Sequence, residues 1–311
     1  YTLLHRKITL LGKFMLYHRQ KTLLALLEAL GGKQLATDFQ KYLFIFSQLC
    51  ESEKSYDFVP YKYGCYSFQA SADKKKLIEK GYLLDETAWT LAKPTLNYSS
   101  ALSKSKNEKI AVFVKQFSKL RGKQLITHVY KTYPYYATKS DIAADHLNSR
   151  ELRKVHSARP KEPGTPLFAT IGYEGGSIEA YLNKLIKTQI RVLVDVRKNP
   201  ISRKYGFSKN TLSSLLGKVG IQYMHMPELG IASADRKTLN TQRDYDRLFD
   251  RYEKSVLKHQ ANAIKNLYEV YQENRHIAIT CFEKSHCQCH RSRVATAIEK
   301  LSQGDVIAQH L

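Results

Sequence analysis

The sequence lacks the features of a membrane or exported protein. No apolar run in its 311 residues reaches the length that spans a bilayer, and the first residues carry no signal-peptide pattern. The five cysteines are odd in number and lie mainly near the C-terminus, which argues against the disulfide framework of a secreted protein. We therefore expect a cytoplasmic protein without membrane contacts, whose clustered cysteines serve catalysis, metal binding or redox sensing.

Motifs for common cofactors and for repeat folds are also missing. The sequence contains neither the G-x-G-x-x-G fingerprint nor the P-loop, so it indicates no nucleotide cofactor. It shows no internal repeat at the periods that mark solenoid proteins. Its length instead leaves room for two ordinary globular domains.

Acidic residues are scarce relative to basic ones. Fifty Lys and Arg stand against 28 Asp and Glu, which gives a net charge of +22 and a pI near 9.6. Such an excess favours phosphate backbones, because each neutralised phosphate releases condensed counterions. We expect nucleic acid, DNA in the first place, or a strongly anionic substrate as the partner. The sequence leaves a homo-oligomer open.

The N-terminal half is predicted to be mainly helical and winged-helix-like. Helix formers and apolar residues at helical spacing indicate helices over 17–30 and 36–49, and a charged helix over 71–80. The tyrosine-rich segment 56–68 between them is compatible with base stacking or with the core of a small domain. A turn is predicted over 128–136.

Prolines and basic residues without apolar periodicity mark 150–166 as a linker and domain boundary. It separates an N-terminal domain, residues 1–155, from a C-terminal domain, residues 165–311. The second domain alternates strands with helices, which requires crossover connections and hence a mainly parallel sheet flanked by helices. The fold class is α/β with a Rossmann-like C-terminal domain. Its strands are predicted over 167–171, 190–196, 221–226 and 276–282.

Polar residues follow each of these four strands. Because parallel strands deliver their carboxyl ends to one edge of the sheet, we expect these residues to converge there. Those assigned to catalysis are Asp195, Glu228, Cys281, Glu283 and Cys289. Those assigned to substrate or phosphate binding are Gly172, Tyr173, Gly175, Gly176, Ser177, Arg197, Asn199, His225, His290 and Arg291.

Two of these groups have alternative interpretations. Gly175, Gly176 and Ser177 precede a helix and are compatible with phosphate binding by backbone N–H groups, or with a tight turn in which Ser177 caps the helix. Asp195 and Arg197 project to the same side of an extended chain. They form an internal ion pair, or Arg197 is left to clamp an anion bidentately.

The order of the motifs resembles one known family. Ile-Gly-Tyr-Glu-Gly, Val-Asp-Val-Arg-Lys-Asn-Pro, Pro-Glu-Leu-Gly, and Cys-Phe-Glu with Cys-His-Arg together resemble the DUF488 family of bacterial and archaeal proteins. The family name declares an unknown function, so the resemblance implies the fold rather than the activity. The matching motif positions are Gly172, Asp195, Arg197, Pro200, Glu228, Leu229, Gly230, Cys281, Glu283, Cys289, His290 and Arg291.

The leading hypothesis for function is a nucleic-acid-directed hydrolase or transferase. It would process DNA bases or nucleotides in repair or defence, by glycosidic-bond or base-modification chemistry. Either Cys281 or Cys289 would be the nucleophile, with its pKa lowered by a helix N-terminus and by Arg291. A carboxylate, Glu228 or Glu283, would act as general acid and base.

Two other hypotheses are kept. Residues 15–95 resemble the helix-turn-helix regions of some bacterial defence and toxin–antitoxin proteins, which fits a DNA-binding regulator whose cysteines sense a ligand, metal or oxidant. No metal is assigned to the chain. Zinc or iron would nevertheless find N and S ligands in one cluster, although its Cys-x-Cys-His spacing departs from a paired zinc knuckle. That cluster consists of Cys281, Cys287, Cys289 and His290.

Overall fold

The structure is a computed structural model that describes residues 16–232, 239 and 241–311. The chain divides after Arg159 into two compact units, called here the N-terminal and the C-terminal domain. Within the described residues, no helix combines the length and the apolar composition that a membrane span requires.

The N-terminal domain contains seven α-helices and four short strands among its described residues. The helices are α1 His18–Ala29, α2 Ala36–Leu49, α3 Phe68–Glu79, α4 Lys104–Phe117, α5 Gly122–Thr132, α6 Ala143–His146 and α7 Ser149–Ser157. The strands are β1 Lys33–Gln34, β2 Val59–Tyr61, β3 Gly64–Tyr66 and β4 Trp89–Thr90. Strand β1 pairs antiparallel with β4, strands β2 and β3 form a hairpin, and a bridge joins Leu83 to Leu91.

The predicted helices agree with α1 and α2 to within one residue, whereas α5 and α7 were not predicted. Helix α5 fills part of the predicted turn and ends before Pro134, which cannot continue a helix. The prediction of a linker is wrong for its first half, because α7 occupies it. Asn148 and Glu151 form a capping box that starts this helix without an apolar repeat.

The tyrosine-rich segment mostly builds core rather than surface. Tyr56 and Phe58 are buried, and Phe44 packs edge-on against Phe58. In the hairpin, Tyr61 and Tyr66 contact each other and Phe68. Aromatic rings bury large areas and favour such tilted contacts, so packing accounts for this part of the sequence.

A buried carboxylate joins α1 to α3. Asp73 accepts hydrogen bonds from Arg19 Nε at 2.6 Å, from Gln20 Nε2 at 3.0 Å and from Tyr56 Oη at 3.0 Å. Burial, followed by the charge of Asp73, raises the pKa of Tyr56, so its hydroxyl stays a donor. These three donors compensate the negative charge of the buried Asp73 carboxylate.

Among its described residues, the C-terminal domain is built on five parallel strands flanked by helices. The strands are β5 Leu167–Gly172, β6 Val192–Asp195, β7 Gln222–His225, β8 His276–Cys281 and β9 Gln309–His310. The helices are α8 Ile178–Lys187, α9 Lys209–Lys218, α10 Gln242–Ser255, α11 Ala261–Asn274 and α12 Arg291–Leu301. The predicted α/β class, the mainly parallel sheet and its four strands are confirmed; β9 was not predicted.

The strand order β7-β6-β8-β5-β9 determines where a ligand fits. After β6 the chain moves outward to β7, and after β8 it crosses in the opposite direction to β9. Adjacent strands whose connections leave in opposite directions open a crevice between their carboxyl ends. In this domain that crevice lies between the ends of β6 and β8.

The register divides the sheet into two faces. Val194 pairs with Ile279 and Asp195 with Thr280, so side chains one residue apart point to opposite faces. The face of Val194 and Ile279 packs against residues of α10, α11 and α12. The face of Thr280 receives α8, whose Tyr181 hydroxyl donates to Thr280 Oγ1 at 2.7 Å.

We expect Asp73→Ala to lower the free energy of unfolding of the N-terminal domain by about 3–5 kcal/mol, because Arg19 and the buried donors lose their partner. Trp89 is the only tryptophan of the chain and is buried in this domain, so its fluorescence follows the unfolding of this domain in denaturant. Lys75→Ala, an exposed change on the same helix, should stay within about 0.5 kcal/mol of wild type. Equal stabilities of Asp73→Ala and Lys75→Ala would contradict this role of Asp73.

Candidate functional site

A cleft of about 280 Å³ opens at the carboxyl edge of the sheet, and we call it the carboxyl-edge cleft. Its lining comes from the end of β8 and from the segments after β5, β6, β7 and β8, on either side of the crevice predicted by the strand order. Two exposed cations and two exposed apolar side chains line it: Lys198, Arg203, Ile201 and Phe282. The other lining residues are Tyr173, Arg197, Asn199, Ser202, Ile231 and Cys281.

Asp195 and Arg197 form a buried bidentate ion pair. Arg197 Nε donates to Asp195 Oδ1 at 2.8 Å and Nη2 donates to Oδ2 at 2.5 Å. The Arg197 backbone N–H and the Tyr223 hydroxyl also donate to this carboxylate, at 3.1 and 2.8 Å. Both carboxylate oxygens of Asp195 are therefore held by several donors at the end of β6.

The remaining donors of Arg197 serve two neighbouring segments. Its Nη1 donates to the Tyr173 hydroxyl at 2.7 Å and to the Phe207 carbonyl at 2.9 Å. Burial by itself would lower the pKa of Arg197, but the hydrogen bonds and charge of Asp195 outweigh it and raise the pKa. Of the two interpretations given by the sequence, the geometry favours the internal ion pair over a free clamp for an anion.

The third strand end supports this pair. His225 Nε2 lies 2.9 Å from the Arg197 carbonyl and its Nδ1 lies 3.1 Å from Lys209 Nζ, so the ring donates to the carbonyl and accepts from the lysine. Gly230 approaches Lys198 so closely that an added Cβ would lie 2.2 Å from its backbone nitrogen. Glu228, one of the predicted catalytic carboxylates, is exposed in the turn Pro227–Leu229.

The loop after β5 is an N-cap turn fastened to the loop after β8. Ser177 Oγ accepts from Ala180 N at 3.0 Å, as the tight-turn interpretation predicts. Gly175 has φ +74, a conformation that favours glycine. The backbone N–H groups of Tyr173 and Glu174 both donate to the Phe282 carbonyl, and the Lys284 N–H donates to the Glu174 carboxylate.

Cys281, Cys289 and His290 come together on the face of the sheet opposite to Asp195 and Thr280, and we call them the Cys–His cluster. Their three ligand atoms lie within 4.8 Å of one another, and all three residues are buried. The Cys281 Sγ lies 3.6 Å from His290 Nδ1 and 3.4 Å from an oxygen of Glu283. His290 Nε2 lies 3.0 Å from the Val196 carbonyl, and its ring packs edge-on against Tyr252.

The environment of Cys289 differs from the one expected for a nucleophile. Burial, followed by the neighbouring Cys281 and the charge of Glu283, raises the pKa of the Cys289 thiol. Arg291 opposes this shift but is the smallest contribution. The thiol is therefore protonated at neutral pH in the metal-free chain, and a protonated thiol is a poor nucleophile.

Arg291 is buried and shapes the loop after β8. Its guanidinium donates to the carbonyls of Glu283 and Lys284 and lies against Thr170 Oγ1. Gly172 leaves room for this loop, because an added Cβ would lie 1.9 Å from the Glu283 carbonyl. The two motif residues therefore position Glu283 beside Cys281.

Cys287 lies apart from the Cys–His cluster. It is exposed and contacts the ring of His286, which stacks on His310 with centroids 3.7 Å apart. The structure thus brings together three of the four residues of the metal alternative. The motif positions of the family resemblance include Cys281 and Cys289 but not Cys287, whereas the metal alternative grouped all three.

Several residues of the site were not singled out from the sequence. Tyr223 supplies a donor to Asp195, Phe207 supplies a carbonyl to Arg197, and Lys198 and Arg203 line the cleft. Lys198 belongs to the Val-Asp-Val-Arg-Lys-Asn-Pro motif and Arg203 follows it, so their charge close to a strand end was an available signal. Phe207 contributes its main-chain carbonyl to Arg197, and because every residue has such a carbonyl, the sequence could not reveal this contact.

Arg197→Ala should destabilise the end of β6 by about 3–5 kcal/mol, because it leaves the Asp195 carboxylate buried without its ion-pair partner. Hydrogen exchange over peptides of β6 and β8 measures this local stability. Arg203→Ala removes the same side chain from an exposed position and should leave exchange unchanged. Equal protection in the two variants would show that the buried pair contributes nothing to stability.

Comparison with known proteins supports the family resemblance in this domain. Neither the curated proteins nor the solved structures contain a match to the chain. One family model does match, described as Domain of unknown function DUF488. Residues 177–298, which include the ends of β6, β7 and β8 and the whole Cys–His cluster, match this DUF488 family.

Proposed function

We propose that the C-terminal domain is a hydrolase or transferase that acts on a nucleotide unit of nucleic acid, with its substrate in the carboxyl-edge cleft. The observation that carries this proposal is the composition of the cleft. Exposed Lys198 and Arg203 suit a phosphate, exposed Phe282 suits the face of a base, and Cys281 lies at the floor. A site that combines these three features fits a nucleotide better than a neutral metabolite.

The reactive groups are assigned by exclusion among the described residues. Asp195 and Arg197 are held by each other and by neighbouring tyrosines, so they position the strand end. Glu283 adjoins Cys281 at 3.4 Å and is the carboxylate at the reactive cluster, whereas Glu228 is exposed in the turn after β7. We assign proton transfer to Glu283, in base modification or glycosidic-bond cleavage of a DNA base.

We further propose that the N-terminal domain binds nucleic acid, DNA in the first place. Residues 1–159 contain 27 Lys and Arg against 13 Asp and Glu, the larger share of the excess charge. The order α1, β1, α2, the β2–β3 hairpin, α3 and β4, with β4 paired to β1, supports a winged-helix-like arrangement in which the hairpin is an insertion. Helix α3 would then be the recognition helix, and it exposes Lys75 and Lys76.

A regulator is the second candidate. The observation in its favour is the contact between two buried thiols, Cys281 and Cys289, which suits a sensor of oxidants or metals. It predicts sequence-specific binding that is lost on oxidation and no chemical change in the bound strand. The enzyme hypothesis predicts instead that the bound DNA strand is chemically altered.

Binding is tested by fluorescence anisotropy with labelled duplex and single-stranded DNA across a salt series. The double variant Lys75→Ala and Lys76→Ala should weaken duplex binding and lower the salt slope by about one for each lost phosphate contact. The pair Lys115→Ala and Lys119→Ala removes equal charge from two exposed positions, one in α4 and one just after it, and is the matched control. Equal losses in both pairs would contradict the assignment of α3, and no binding by wild type would contradict nucleic acid as the partner.

Chemistry is tested by separating the incubated strands on a denaturing gel after alkali treatment. Wild type should yield an altered strand. The double variant Lys198→Ala and Arg203→Ala should have a KM for the DNA substrate that is about tenfold or more above that of wild type, because hydrogen bonds to charged groups contribute about 1.5–3 kcal/mol. Arg251→Ala with Lys258→Ala is the control, because it removes one exposed Arg and one exposed Lys outside the cleft. Unaltered strands with wild type, over substrates that include damaged bases, would favour the regulator.

A further inference from the structure

The Cys–His cluster has the dimensions of a metal site. In a tetrahedral zinc site with Zn–S of about 2.3 Å and Zn–N of about 2.0–2.1 Å, the sulfur and nitrogen ligands lie about 3.5 Å apart. The observed distance from Cys281 Sγ to His290 Nδ1 is 3.6 Å. All three ligand atoms, including Cys289 Sγ, lie within 4.8 Å of one another.

The hydrogen bond from Nε2 of His290 determines which ring nitrogen carries the lone pair that a metal needs. Its Nε2 lies 3.0 Å from the Val196 carbonyl, which accepts hydrogen bonds and cannot donate them. Nε2 therefore carries the proton, and the lone pair of Nδ1 points toward Cys281. Metal-binding histidines are commonly oriented in this way by a carbonyl or a carboxylate on the far nitrogen.

The chemical character of the donors selects the metal. Two cysteine sulfurs and one imidazole form a soft donor set, which zinc prefers, whereas magnesium and calcium require oxygen ligands. Among the described residues the cluster has three members. Three protein ligands leave a fourth position for water or substrate, which distinguishes catalytic zinc sites from closed structural ones.

Glu283 lies where it can serve a water at that position. Its carboxylate is 3.4 Å from Cys281 Sγ, and the loop that carries it is held by Arg291. Glu283 and His290 also line a small cavity of about 10 Å³, close to the smallest volume that holds one water. On its other side, Cys281 reaches the carboxyl-edge cleft.

We propose that Cys281, Cys289 and His290 bind one Zn²⁺ ion, and that Glu283 accepts a proton from a water molecule at the fourth position. The proton moves from the bound water to the Glu283 carboxylate and leaves a zinc-bound hydroxide, a nucleophile at neutral pH. Metal binding stands by itself, whereas the use of the hydroxide rests on the proposed function. Both sulfurs then act as metal ligands and not as nucleophiles.

The metal is measured by elemental analysis of full-length protein, purified without a tag and without chelators. Wild type should contain about one zinc per chain. Cys289→Ser should contain less than about a tenth of one, and Cys287→Ser, two residues away on an exposed side chain, should match wild type. Zinc that is lost in Cys287→Ser and kept in Cys289→Ser would overturn the ligand set.

A second measurement covers the case in which Cys289→Ser does not fold. Chelator-treated wild type, checked by circular dichroism, is titrated with Co²⁺. The expected spectrum has a sulfur-to-cobalt charge-transfer band and the intense visible bands of four-coordinate cobalt. A spectrum without charge transfer, together with zinc-free protein as purified, would overturn the proposal.

The role of Glu283 is tested separately with Glu283→Gln. This variant should keep its zinc and its binding to DNA while the rate of strand alteration falls by about 100-fold or more. Full activity in the zinc-loaded variant would overturn the proton-transfer role and leave the metal site intact. If wild type contains zinc and alters no strand, the metal site stands and the proposed reaction fails.

Discussion

The carboxyl edge of the sheet depends on one buried ion pair. Arg197 binds Asp195 through two parallel hydrogen bonds and donates further hydrogen bonds to the Tyr173 hydroxyl and to the Phe207 carbonyl. Tyr223, on the neighbouring strand, donates another hydrogen bond to the Asp195 carboxylate. Residues on or after three different strands thus meet at two charges, and the cleft keeps its shape because both charges are buried away from water.

The period of a strand separates this ion pair from the Cys–His cluster. Asp195 shares a face with Thr280, so Cys281, one residue later, points to the other face. One side of the sheet edge is occupied by a saturated network that holds the backbone. The other side contains the sulfur atoms of two cysteines and an imidazole ring, which are common metal ligands, and this division suggests that structure and chemistry are served by different motif residues.

Much of the C-terminal domain could be predicted from its sequence, because strong β-branched runs alternate with helices and parallel connections fix the edge where polar residues gather. The sequence could not divide those residues between two faces, since that requires the register of β6 against β8. It also gave no means of knowing that Arg197 and Arg291 are fully occupied, because several of their acceptors are main-chain carbonyls. In the other domain α7 was missed, as its helix begins with a capping box rather than an apolar repeat.

The exposure of Cys287 has a practical consequence. Its thiol is exposed, while Cys65, Cys281 and Cys289 are buried and Cys50 is partly covered. Burial and the neighbouring Glu51 also raise the pKa of Cys50, which slows its reaction with alkylating reagents. A maleimide dye would therefore attach first at Cys287, two residues from Cys289, and would place an optical reporter at the edge of the cluster without altering any of its residues.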